Sequence, residues 1–289
     1  SQSIEIFIGE EEERFSLFEG EILSYDRTLH LDKGFSERNI HWRSPMNREI
    51  KIQFRRIVSF VNRELFSIQV LIEPVNFFGQ VKIVSTVNGD VTNFVDESDP
   101  RVGSGNEKLL KTIETNLNDG VSVVVNETTT SKLRTACITS YVYSRGQRTE
   151  SVQDKHIETV LIDKLEEPLV FEKRNVYVDT RRQGENLTDK GIEILNSLKE
   201  VTFEQLVQEQ EGYLQNFWSK ADVIIHGDQQ LQQGIRFNLF HLLQSAGRDA
   251  YSSIAAKGLS GEGYEGYYFW HTEIYMMPVF IMTKPELAK

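Results

Sequence analysis

Apolar and polar residues alternate from Ile4 to Val178, the period-two pattern of strands that bury one face. The runs are Ile4/Ile6/Ile8, Leu29-His30-Leu31, Ile40-His41-Trp42, Ile50/Ile52/Phe54, Ile57-Val58-Ser59-Phe60, Phe66/Ile68/Val70/Ile72 and Val81/Ile83/Val84. Asn88-Gly89-Asp90 reads as a hairpin-type turn, because Asn and Gly tolerate positive φ. Residues 96–118 are polar, with Asp96, Glu97, Asp99, Pro100, Gly103 and Gly105, and predict a loop or excursion at a sheet edge. Alternation resumes over 121–125, 133–143, 159–162 and 170–178. The total of about ten strands or more exceeds what one open twisted sheet holds, so two stacked sheets are expected.

From Leu187 the period lengthens. Ile192/Leu195/Leu198 and Phe203/Leu206/Val207/Gln210/Leu214/Phe217 recur at three and four, the stripe of amphipathic helices. Thr202 and Gln205 have the spacing of a capping box for the second helix. A short segment, Ala221 to Asp228, precedes a third helix near 229–246 whose stripe is Leu231, Ile235, Leu239, Leu242 and Leu243.

The chain has 289 residues, 39% of them hydrophobic and 26% charged, enough for one large or two moderate domains. Its net charge of −11 argues against a nucleic-acid surface, since no Lys/Arg stripe replaces phosphate counterions. Arg55-Arg56 and Arg181-Arg182 are read as solvated faces, and Glu10 to Glu13 as a solvated turn. One cysteine, Cys137, excludes an internal disulfide framework and fits a reducing, cytoplasmic setting; its place in an alternating run makes it a packing residue. No apolar run approaches the roughly 18 to 20 residues of a membrane helix, so no membrane partner is expected. His156, His226 and His241 are scattered without ligand spacing, and no metal is predicted.

The stretch from Lys257 to Glu273 changes this picture. It crowds glycines, aromatic rings, acids and His271 directly after a helix, the composition of a sugar-pocket wall. Glycines let the backbone turn, flat rings cover the apolar faces of a pyranose, and carboxylates or imidazoles hold its hydroxyls. Together with Gly234-Ile235-Arg236-Phe237-Asn238-Leu239-Phe240 before it and Val87 to Asn93 far upstream, this string resembles glycoside hydrolase family 65, the inverting α-glucoside phosphorylases.

The resemblance implies a mainly β fold with C-terminal α: an N-terminal antiparallel β super-sandwich over 1–182, a helical linker over 183–227, and the first part of an (α/α)6 barrel over 228–289. It implies an α-linked disaccharide or oligosaccharide and inorganic phosphate as substrates, no other cofactor, and a homodimer. The family's general acid falls beyond residue 289, so no catalytic residue is assigned and the chain alone is expected to be inactive. The family's Trp-Asp pair, which contacts the glucosyl unit, maps onto Trp270 and His271. His271 departs from that pattern, because a neutral imidazole lacks the two-oxygen acceptor of a carboxylate. Glu273 is a supporting anchor, Glu262 a loop brace, and Arg236 with Asn238 braces the third helix against the glycine loop. Two other readings stay open: a family 65 hydrolase that uses water, and a non-catalytic carbohydrate-binding or assembly module. Side chains from about 250 onward are expected to lack most of their barrel neighbours.

Overall fold

A computed structural model describes residues 1–92, 98, 108–249, 251–256, 258 and 267–288. Among them thirteen strands, numbered in chain order, form two sheets in which every pairing is antiparallel. The five-stranded sheet runs β11 (Gln147–Val152), β12 (His156–Lys164), β7 (Gln80–Asn88), β1 (Gln2–Ile8) and β2 (Glu13–Arg14). The eight-stranded sheet runs β3 (Glu21–His30), β4 (Phe35–Arg43), β5 (Glu49–Val58), β6 (Leu65–Pro74), β13 (Leu169–Asp179), β10 (Arg134–Tyr143), β9 (Val121–Thr128) and β8 (Leu110–Asn118). Helices follow: α1 (Thr180–Gln183), α2 (Leu187–Ser197), α3 (Phe203–Ala221), α4 (Gln229–Ser245) and α5 (Met277–Thr283). The mainly β architecture with C-terminal helices is the one expected.

The chain divides into two compact units. The first holds Ser1–His30, Gly34–Val91 and Leu109–Gln210; the second contains Leu31–Lys33 and the described residues from Glu211 onward. In the first unit, alternation directs Ile6, Ile8, Val81, Ile83 and Leu161 of one sheet against Ile40, Trp42, Ile52, Val70 and Phe171 of the other. The opposite face of the eight-stranded sheet buries Phe35, Ile57, Ile138 and Val176 beneath Leu195, Leu198, Phe203 and Leu206 of the helical segment. Thr202 and Gln205 do form a capping box: the Thr202 N–H donates to Gln205 Oε1 at 2.8 Å, and the Gln205 N–H to Thr202 Oγ1 at 3.2 Å.

Five expectations need correction. The polar stretch 96–118 is not loop throughout, because its last part is β8, an edge strand with no buried residue. Its partner is reached through Asp119-Gly120, both at positive φ (48° and 77°), the two-residue turn that right-handed strand twist favours. The runs at 50–54 and 57–60 belong to one strand through Val58; Ile50, Ile52 and Phe54 enter the inter-sheet core while Ile57, of opposite parity, enters the helix-side core. Gly89 is not at positive φ. A Cβ there would stand 2.7 Å from Thr112 Oγ1 and from Val124 Cγ1, so close approach, and not turn geometry, requires glycine. Finally, Arg55-Arg56 is not a solvated pair: Arg55 ion-pairs with Glu204 and lies over the rings of Phe35 and Phe203, and Arg56 is half-buried. Glu13 is likewise drawn in, bound by Arg48 and Ser44 Oγ at 3.0 Å each.

The centre of β13 is buried on both faces yet polar, with Glu172, Lys173, Arg174 and Asn175 at 4% exposure or less. Each group is satisfied locally, as burial demands. Arg174 donates through Nε to Glu172, and through Nη1 and Nη2 to the carbonyls of Leu198 (2.8 Å) and Val201 (2.6 Å), capping the end of α2. Lys173 faces the other sheet and donates to the Thr86 carbonyl at 2.8 Å; burial pushes its ammonium pKa from 10.5 down to about 7. Gln210 does comparable work between strands and helix, accepting from the Phe60 N–H at 2.7 Å and donating to the carbonyls of Gly34 (2.7 Å) and Val58 (3.1 Å).

Candidate functional site

The candidate site belongs to the second unit and is built on α4. Asp228 caps that helix by accepting from the Leu231 N–H at 2.9 Å. The segment before it folds back along the first turns, because Gln232 accepts from the Ile225 N–H at 2.7 Å and donates to the Val223 carbonyl at 2.9 Å. Arg236 grips Asp222 with two bonds, Nε at 2.8 Å and Nη2 at 2.7 Å. The pair shapes both groups: bonding from Arg236 holds the Asp222 carboxyl below its ordinary range, and Asp222 raises Arg236. Arg236 thus holds the chain entering α4, and this is the partner the structure gives it. A depression of about 670 Å³ lies beside this entry, lined by Leu31, Ile225, Asp228, Gln232 and Arg236 among others.

The inner face of α4 buries Leu239, Phe240 and Leu243, while Leu231, the first residue of the expected stripe, is exposed. Below the helix Ala246, Ile254 and Phe280 form a small core with Leu242, Met276 and Leu287 packed against it. That core anchors the bend around residue 270. Thr272 is 4% exposed, and its hydroxyl donates to the Ile254 carbonyl at 3.2 Å. The Ala256 N–H donates to the Tyr267 carbonyl, the Thr272 N–H to Phe269 and the Ile274 N–H to Trp270, each at 3.1 Å. A wide π turn over Thr272–Met276 then leads into α5.

On this bend the structure sets Trp270, His271 and Glu273 together. Trp270 is 81% exposed, and Tyr267, Tyr268, Phe269 and Tyr275 are exposed beside it. An exposed indole with rings around it is an apolar surface awaiting an apolar face, such as that of a pyranose. The His271 ring stacks on Phe269 at 5.8 Å between centroids and 18° between planes. Its Nε2 is buried and has no hydrogen-bond partner among the described residues. Glu273 sits exposed in the first turn of the π segment. Arg236 is not described in contact with this bend, and Glu262 lies outside the described residues, as does most of the glycine loop. Among the described residues no group of three or more His, Cys, Asp or Glu side chains could hold a metal ion, and no helix is long and apolar enough to cross a membrane.

Sequence reasoning passed over Lys173, Arg174 and Gln210, because each stands where periodicity alone reads strand or helix stripe. Cys137 is half-buried and packs against the small core of Val87, Val124 and Ile157, as expected for a packing residue; burial pushes its thiol up, and Gln2 Nε2 donates to Sγ at 3.1 Å.

Residues 1–217 match the N-terminal domain of glycosyl hydrolase family 65, and residues 236–289 match the central catalytic domain of that family. The chain belongs to glycosyl hydrolase family 65. Among its relatives, the α,α-trehalose phosphorylase of Geobacillus stearothermophilus is 56% identical over the whole chain, and that of Thermoanaerobacter brockii 40% identical. The chain spans 38% of the length of each. A kojibiose-phosphorylase-like protein from the human microbiome, 22% identical, superposes with a TM-score of 0.85 over 99% of this chain and 37% of its own, which shows the shared fold.

Proposed function

We propose that this chain is the N-terminal part of an inverting α-glucoside phosphorylase that cleaves α,α-trehalose with inorganic phosphate to β-glucose 1-phosphate and glucose. The observation that carries this reading is the 56% identity, over every part of the chain, to a trehalose phosphorylase. In the reaction a phosphate oxygen attacks the anomeric carbon from the face opposite the departing sugar, while an acid protonates the glycosidic oxygen, so that an α bond is replaced by a β ester. Phosphate takes the place of the base-activated water of inverting hydrolysis, and a single catalytic carboxyl suffices.

In this reading residues 228–289 open an (α/α)6 barrel, and the general acid and phosphate ligands lie beyond residue 289. Trp270 stacks on the glucosyl ring. His271 Nε2, lacking a partner among the described residues, bonds a sugar hydroxyl from beside it. Glu273 and Glu262 support the bend, and Arg236 fixes the helix that carries it. The enzyme works as a cytoplasmic homodimer with phosphate as its one co-substrate.

The test is an assay of the full-length protein on trehalose, kojibiose and maltose with and without phosphate, with the anomer of the product read by NMR. Phosphate-dependent β-glucose 1-phosphate from trehalose is expected. Phosphate-independent glucose release would identify a hydrolase instead, and no turnover of any of the three would reject the substrate assignment.

A further inference from the structure

The inter-sheet face of the eight-stranded sheet is apolar at Ile40, Ile52 and Phe54 and then changes character. The next positions outward on that face are Arg38 on β4 and Arg56 on β5, and Arg27 on β3 stands directly across from Arg38. The two guanidinium groups flank one aromatic ring, Arg38 at 4.6 Å and Arg56 at 5.4 Å from the centre of Phe54. With Phe15, Phe66 and Ile68 they line a cavity of about 540 Å³ in the sandwich unit.

These arginines lack what their neighbour has. Arg55 points to the other face and pairs with Glu204. Neither Arg38 nor Arg56 has an acidic partner among the described residues, and the Arg38 Nε, like that of Arg55, is buried with no hydrogen-bond partner among them. Of the residues lining the cavity Glu5 is the acidic one, and it is already held by Arg14. Burial, followed by the like charges of Arg38 and Arg27, lowers the Arg56 pKa, so the folded chain holds the Arg56 cation against a cost that a neighbouring anion would reduce. Cation–π attraction to Phe54 offsets only part of it.

We propose that this cavity binds a small phosphomonoester, whose phosphate oxygens accept from Arg38 and Arg56 and whose organic part lies on Phe15, Phe54 and Phe66. Forked guanidinium groups match phosphate oxygens, and a dianion answers two adjacent cations. The volume is that of a small-molecule pocket and exceeds what a bare ion fills. All the residues that line this cavity belong to the sandwich unit, and the inference does not rest on the trehalose assignment.

The full-length protein is titrated with phenyl phosphate, inorganic phosphate and phenol by calorimetry, alongside Arg38→Gln and Arg56→Gln. Phenyl phosphate is expected to bind more tightly than inorganic phosphate, and phenol not at all. Each substitution should weaken phenyl phosphate binding about ten-fold to a hundred-fold, the range for a charge-assisted hydrogen bond, without changing the Michaelis constant for phosphate in turnover. Because both variants remove a repelling charge, their melting temperatures should not fall. In the wild-type protein, phenyl phosphate should also slow phenylglyoxal modification of Arg38 and Arg56, read by peptide mass spectrometry. Binding that survives both substitutions, or modification unaffected by the ligand, would overturn the proposal.

Discussion

Lys173→Met should make the protein more stable near neutral pH, although it deletes a hydrogen bond. In the folded chain Lys173 is fully enclosed between the sheets and titrates at about 7, against 10.5 in the ordinary range. Above pH 10.5 the amine is neutral in both states and nothing is lost. Between there and pH 7 the unfolded chain holds a proton that the folded chain has shed, so stability falls as pH falls, by about 1.4 kcal/mol for each pH unit. Below pH 7 both states are protonated and the loss stays constant, at roughly 5 kcal/mol. Methionine fills similar space without that loss, but forfeits the bond to the Thr86 carbonyl, worth about 1 kcal/mol. The variant should therefore exceed the wild type by about 3 to 4 kcal/mol at pH 6, and the gap should close by pH 10. Urea unfolding of both proteins at pH 6, 8 and 10 measures this; titrating groups that do not feel the Lys173 charge cancel in the difference, whereas the Ser1 amine and Cys137, which do feel it, contribute a smaller change of their own. A variant less stable at pH 6, or a gap indifferent to pH, would refute the depressed amine as the origin of the effect.

Gln210→Ala should destabilise the protein by about 3 kcal/mol, because it removes three enclosed hydrogen bonds, those to the Phe60 N–H and to the Gly34 and Val58 carbonyls; chemical denaturation with an unchanged m-value would register it. Trp270→Ala, at an 81% exposed position, should shift the unfolding free energy by less than about 0.5 kcal/mol. In the full-length protein the same change should raise the trehalose dissociation constant about ten-fold or more, as loss of a ring stacked on a sugar would; calorimetry that finds affinity intact would move recognition away from this bend.

Much of the fold could be read from period alone, and the failures have identifiable causes. Strands with one buried face announce themselves, so β1, β6 and β7 fall where alternation puts them. An edge strand such as β8 buries nothing and therefore leaves no apolar trace; the signal that marks it is Asp119-Gly120, a turn pair and not a hydrophobic one. β5 looked like two elements because its inward residues change parity where the strand passes from one core to the other. Such a change is visible only once the second core, under the helices, is known.

The candidate site was legible in a different way. Periodicity is silent about Trp270, since an exposed indole and a buried one read alike in sequence; composition and resemblance singled it out, and the structure then showed that ring exposed beside an imidazole whose buried Nε2 has no hydrogen-bond partner among the described residues. The buried polar groups went unread for the opposite reason. Lys173 and Arg174 lie in a strand whose apolar neighbours say only that it is central, and whether a central charge is tolerated depends on carbonyls contributed by Thr86, Leu198 and Val201. Those partners lie between 24 and 87 positions away, so no local window contains the compensation. Arg38 and Arg56 follow the same logic with one element missing: their positions on a shared face could be inferred from β4–β5 register, but the lack of an acidic partner among the described residues emerges only when the surrounding side chains are placed. A charge whose local compensation is found is structural, while a clustered charge without it is where a ligand should be sought.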